Sequence, residues 1–170
     1  MWWEVRRRWT LWGYARRIRK FGWTATYVPG DAEEASLSYS TGFWESAGAP
    51  EVIMFGMPPE ASSHLLWEIW RQLKAGDLAL ADKAPWDAGW EDGPKLAWRA
   101  VHPSRIRREH FNLAIWYRER QGMSRDGLEA FQLFVSDTNG KFPWEDGFDT
   151  DYRPRQPELY LPYLGLSEED

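Results

Sequence analysis

Hydrophobic positions change period several times along this chain, and each change marks an element. Trp2, Val5, Trp9 and Trp12 recur at spacings of three and four, with Leu11, Ala15 and Ile18 beside them. That spacing predicts an amphipathic helix over residues 2–20, weakened by Gly13 and ended by Gly22. Residues 23–28 read as a strand, and Pro29-Gly30-Asp31 as a turn. Over residues 36–43, Leu37, Tyr39 and Thr41 alternate with serines, the pattern of a half-buried strand. After a turn at residues 48–50, Glu51-Val-Ile-Met-Phe55 is a short apolar strand. Pro58 and Pro59 then open a helix that carries Ala61, Leu65, Ile69 and Leu73 on one face, and Gly76 stops it.

The pattern then breaks. Residues 77–95 hold Pro85, Trp86, Gly89, Trp90, Gly93 and Pro94 with no sustained period, as expected of a long loop that binds or covers something. Residues 96–101 return as a strand, and Ser104 is placed to cap a helix running to about Arg120. Phe131-Gln-Leu-Phe-Val135 is the last strand, followed by a tight Asn139-Gly140 turn and a proline-bearing, extended tail. The expectation is a single α+β domain: a mostly antiparallel or mixed sheet of about five strands with three main helices packed against it. Residues 1–21 form the Trp/Arg-rich helix, 22–157 the core and 158–170 an acidic tail.

Composition adds little at first. The chain has 170 residues, 43% hydrophobic and 28% charged, ordinary for one soluble domain. Thirteen tryptophans are unusual, and each can be core filler or a flat wall for a ligand. The absence of cysteine removes disulfides, thiolate nucleophiles and Cys-based metal sites. No signal-peptide pattern or 18-residue apolar run is present, so a cytoplasmic protein without a membrane span is expected.

The net charge of −5 conceals a polarity. Residues 1–22 hold seven basic groups against Glu4, a net of +6; residues 137–170 hold nine acids against Lys141, Arg153 and Arg155, a net of −6. Such ends can attract each other within one fold, or pair two copies into a homo-oligomer. Nucleic acid is an unfavoured partner, because overall acidity opposes phosphate binding and no recognisable module is present.

Three histidines narrow the acid–base options. His102 follows a strand and precedes Pro103-Ser104, a junction that suits a general base or an anion-binding group; the plainer alternative is a histidine bonded to nearby backbone. His110 shares a helical face with Ile106, Leu113, Ala114 and Tyr117, where burial would keep it neutral, as a base or simply as a core residue. His64 sits among Glu60, Glu68 and Arg71 on a solvated face. Successive histidines lie 38 and 8 positions apart, and Asp137-Thr-Asn-Gly140 lacks the glycine position and closing glutamate of a calcium loop, so no metal is expected. Phosphate-loop and GxSxG patterns are absent as well. No cofactor is expected.

The blocks Tyr39-Ser-Thr-Gly-Phe43, Pro50-Glu-Val-Ile-Met-Phe-Gly-Met-Pro-Pro59, Val101-His-Pro-Ser104 and Asp137-x-x-Gly-x-Phe-Pro-Trp-Glu145, with Gln156-Pro157, follow in this order. Together they resemble the domain-of-unknown-function 4262 family over roughly residues 22–157. The resemblance implies one recognisable domain and a bacterial origin, and supplies no reaction. Relatives commonly read His-Pro-Glu where this chain has Ala49-Pro50-Glu51.

Two functions follow as expectations. One is a small enzyme using acid–base chemistry on an aromatic or cyclic molecule, as in a tailoring step of secondary metabolism. His102 would be its base, Glu145 a second carboxylate and Tyr39 a hydroxyl donor, with Trp144, Trp86, Trp90, Phe142 and His110 around the ligand. The other is a non-catalytic binding protein, an immunity or regulatory partner, that uses the Trp/Arg helix and the acidic loop. The first requires His102 and Glu145 to converge; the second requires Trp2, Trp9 and Trp12 to be exposed.

Overall fold

The computed structural model describes residues 2–165, with side chains from residue 10 onward. Helix α1 (Trp2–Phe21) leads into β1 (Thr24–Val28), β2 (Leu37–Thr41), the single-turn α2 (Phe43–Ser46), β3 (Glu51–Phe55) and α3 (Pro59–Ala75). Then come β4 (Pro85–Trp86), β5 (Leu96–Ala100), α4 (Arg108–Arg120) and β6 (Ala130–Val135), with 3₁₀ turns at Pro103–Arg105, Arg125–Gly127 and Thr150–Arg155. The sheet runs β1-β2-β3-β6-β5-β4, antiparallel throughout except where β3 and β6 lie parallel. The fold is α+β. The sixth strand is β4, whose two residues are too short to print an alternation on the expected loop.

Both faces of the sheet are covered, which corrects the half-buried expectation for β2: all five of its residues are buried. Leu37, Tyr39, Ile53 and Phe55 meet Phe111, Ala114 and Ile115 of α4 on one face. On the other, Val52 and Met54 meet Leu65, Leu66, Ile69 and Leu73 of α3. Alternate residues of a strand point to opposite faces, so the β2 serines turn toward α3. There Ser38 is paired with Ser62 Oγ at 2.8 Å, as a buried hydroxyl must be.

Helix α1 packs Ala15 and Ile18 against Tyr117, Trp44 and Trp116. Its end rests on Gly42, where φ is 108° and a Cβ would stand 2.7 Å from the Gly22 carbonyl oxygen. Only glycine fits there. Among the described residues no ion pair joins α1 to residues 137–165.

Helix α4 begins at Arg108 and not at Ser104, which lies in the 3₁₀ turn; His102 caps that turn, its Nδ1 accepting from Ser104 N–H at 3.2 Å, and Arg107 precedes α4 without a side-chain cap. The helix kinks at Phe111 (φ −133°, ψ 32°). A kink interrupts the backbone ladder, and here a side chain fills the gap: Leu113 N–H donates to the Tyr39 hydroxyl at 2.9 Å. Replacing Tyr39 with phenylalanine strands that buried amide and is expected to cost about 1–3 kcal/mol in chemical denaturation. A phenylalanine variant as stable as the parent would mean that Leu113 N–H finds another acceptor.

Candidate functional site

The loop after β6 is organised by one buried carboxylate. Asp137 Oδ1 accepts from Asn139 N–H (2.9 Å) and Lys141 N–H (2.8 Å), and Oδ2 accepts from Asp149 N–H (2.9 Å). Burial would raise its pKa, but these backbone donors outweigh it and hold the carboxyl below its ordinary value. Its contribution to stability is therefore complete above pH 3.8, the unperturbed value, and fades as pH falls through the lowered pKa. Gly140, with φ 72°, makes the turn, and Gly140 N–H closes it on the Asp137 carbonyl at 3.0 Å.

Asp137 delivers an aromatic group onto the sheet. Phe142 and Trp144 stack with ring centres 5.0 Å apart, and Trp144 stands edge-on to the buried Phe134 at 5.2 Å. Tyr160 reaches the same ring from the tail. The Arg99 guanidinium lies 3.7 Å from the Tyr160 ring centre and 4.8 Å from Trp144, with its Nε donating to Asp82 Oδ1 at 2.9 Å. Cation–π contact and partial burial make Arg99 the pin for both segments.

Two glutamines strap the tail to β6. Gln156 Oε1 accepts from Val135 N–H (2.7 Å) and its Nε2 donates to the Val135 carbonyl (2.8 Å). Gln132 returns the arrangement, donating to the Pro157 carbonyl at 2.7 Å and accepting from Leu159 N–H at 3.1 Å. A side-chain amide presents an N–H donor beside a carbonyl acceptor, as a backbone strand does, so each glutamine imitates a strand neighbour.

Beside this loop lies a cleft of about 420 Å³, lined by Trp86, Trp90 and Phe142 with Asp87, Lys95 and Leu96 among its other walls. That volume is in the range of small-molecule sites. Trp86 is held by an Nε1–H bond to Gln72 Oε1 at 3.1 Å, and Trp90 is 40% exposed at the mouth. Gly93 lets the loop close on Trp90, because a Cβ there would come within 2.8 Å of the indole. Three of the aromatic residues expected around a ligand thus share one cavity. Trp144 does not line it; it is spent on Phe134, Arg99 and Tyr160.

The three acid–base residues come from separate segments, and each bonds within its own surroundings. His102 Nδ1 lies 2.8 Å from Ser104 Oγ, while His102 N–H donates to the Leu159 carbonyl. Glu145 closes its own turn, accepting from Phe142 N–H at 2.8 Å. Phe142 and Trp144 of the Glu145 turn pack on Ala97 and Phe134. Tyr39 is buried beneath α4, and burial raises its pKa. His110 stands edge-on to Phe55 at 5.8 Å, away from the cleft, with its buried Nδ1 lacking a hydrogen bond. Burial lowers its pKa. Trp12 is 51% exposed, with the Arg120 guanidinium 4.5 Å from its ring centre; the side chains of Trp2 and Trp9 lie outside the described residues.

A group the sequence did not single out is Glu51. Its side chain is wholly buried, accepting from Gly42 N–H (2.7 Å), Phe43 N–H (3.1 Å) and Ser40 Oγ–H. Burial pushes its pKa up to about 7, against the pull of these donors. It thereby caps α2 from another strand and joins two of the recurrent blocks, Tyr39–Phe43 and Pro50–Pro59. The available signal was a lone glutamate heading a five-residue apolar strand. Next to it, Ala49 borders a small hollow with Trp44, Arg118 and Glu129.

Among the described residues no three or more His, Asp or Glu side chains are grouped to hold a metal ion, and no helix is long and apolar enough to cross a membrane. No curated protein and no solved structure matches the chain. A family model described as Domain of unknown function (DUF4262) matches residues 17–149, from the second half of α1 to the end of the Asp137-organised loop. The chain belongs to that family.

Proposed function

We propose that this chain binds a small planar or cyclic molecule in the cleft between the 85–96 segment and Phe142. The supporting observation is that Trp86, Trp90 and Phe142 line one cavity of about 420 Å³. Flat aromatic walls bury the faces of a ring and favour stacked or edge-on contacts. Acid–base chemistry by His102, Glu145 and Tyr39 draws no support from this cleft, because none of the three lines it. A second reading, docking of a protein partner on α1, draws on the exposure of Trp12 and Phe21.

Ligand-detected NMR separates these. Planar bicyclic fragments such as indole and quinoline should bind the protein while acyclic alcohols do not. Trp90→Ala should weaken the planar fragments about tenfold, the loss of roughly 1.4 kcal/mol of ring contact. Binding that survives Trp90→Ala unchanged would remove the cleft from consideration.

A further inference from the structure

Two opposite charges stand at this cleft without neutralising each other. In the β4–β5 pairing Trp86 lies opposite Leu96, so the next positions outward in register are Asp87 and Lys95. Opposite charges facing across an antiparallel pair start about 5 Å apart and can attract each other, although both of these side chains are exposed to solvent. Among the described residues, neither Asp87 nor Lys95 takes part in an ion pair. Asp87 Oδ1 is turned aside to accept from Gly89 N–H at 2.7 Å. The Lys95 side chain runs along Gly140, where its Cε and Nζ would lie 3.3 Å from an added Cβ. Glycine at the Asn139-Gly140 turn leaves it that path. Both residues line the cavity whose apolar walls are Trp86, Trp90 and Phe142.

We infer that the ligand is a zwitterion with a planar apolar body, of the class of a free aromatic amino acid. The geometry assigns its ammonium group to Asp87, its carboxylate to Lys95 and its ring to the Trp86–Trp90–Phe142 walls. One free oxygen on Asp87 and the three donors of a lysine ammonium supply the complementary charges. A singly charged ligand would satisfy one side chain and leave the other beside a like or neutral group.

This rests on the cleft being a small-molecule site, and four indoles test the two separately. Binding of L-tryptophan, tryptamine, indole-3-propionate and indole to the full chain is measured by calorimetry or ligand-detected NMR. L-Tryptophan should bind roughly fivefold more tightly than either singly charged probe, the effect of one additional exposed ion pair. Lys95→Met should reduce it to the level of tryptamine and Asp87→Asn to that of indole-3-propionate, with indole unaffected by either. Tryptamine or indole-3-propionate binding as tightly as L-tryptophan overturns the zwitterion assignment while leaving the cleft in place. Failure of all four probes to bind, or binding indifferent to Trp90→Ala, overturns both.

Discussion

Replacing Glu51 with glutamine will stabilise the protein at pH 8 by about 3 kcal/mol and flatten its stability between pH 5 and 7. The magnitude follows from a carboxyl whose pKa rises from 4.5 to about 7 on folding, at 1.36 kcal/mol per unit. The sign follows from linkage. Between those two values the folded state binds a proton that the unfolded state has released, so stability falls as pH rises. The favourable contribution is complete below pH 4.5 and lost through about pH 7. Glutamine reproduces the protonated arrangement: its oxygen accepts from Gly42 and Phe43 N–H, and its amide donates to Ser40 Oγ. For a chain of this length the gain at pH 8 corresponds to roughly 6–12 °C in thermal midpoint. Alanine at the same position leaves the two amides buried without an acceptor and is expected to destabilise at every pH. A glutamine variant that is less stable than the parent at pH 8, or one with an unaltered pH profile, would refute this assignment.

The second large effect is at Phe134. It is fully buried and bears Trp144 edge-on at 5.2 Å and Tyr160 at 5.8 Å, so the Asp137-organised loop and the C-terminal strap rest on one ring. Phe134→Ala should cost about 3–5 kcal/mol, the range for truncating a buried aromatic, because neither segment can collapse into the space while Arg99 pins both. Phe134→Leu keeps most of the volume and should cost less than about 1.5 kcal/mol. The alanine variant should also lose affinity for planar fragments, since Phe142 packs in one cluster with Phe134 and stacks on Trp144, which rests on the same ring. Equal stability of the alanine and leucine variants in denaturant titration would show that the loop stands without this platform.

What the sequence made legible was local. Strands β1, β3, β5 and β6 and helices α1 and α3 announce themselves through runs, spacings and punctuation within a dozen residues. The turn at Asn139-Gly140 and the aromatic character of the 77–95 segment were equally plain, and Trp86, Trp90 and Phe142 do share a cavity. What stayed hidden depends on contacts between distant positions. Ser104 reads as a helix cap by residue type, yet the chain takes three further residues before α4 begins. Tyr39 has the chemistry of a donor, but α4 kinks onto it and turns its hydroxyl into a backbone acceptor. Gln156 looks like one polar residue in a tail, and only the unpaired Val135 backbone gives it a role. Glu51 is the sharpest case. A charged residue in an apolar strand signals either a site or a buried cap, and spacing alone does not choose between them.

The parallel pairing of β3 with β6 has a consequence for how the molecule is made. The two central strands are separated by residues 56–129, so the middle of the sheet is completed only when the last strand arrives. During synthesis β1, β2 and β3 can pair as a meander with α3 against them, while β3 presents an open edge to its surroundings. That edge stays unsatisfied until β6 leaves the ribosome, and the glutamine strap closes later still. Long-range pairings of this kind slow folding and lengthen the exposure of sticky intermediates. Yield in a heterologous host should therefore depend on translation speed and temperature more steeply than the stability of the finished protein would suggest.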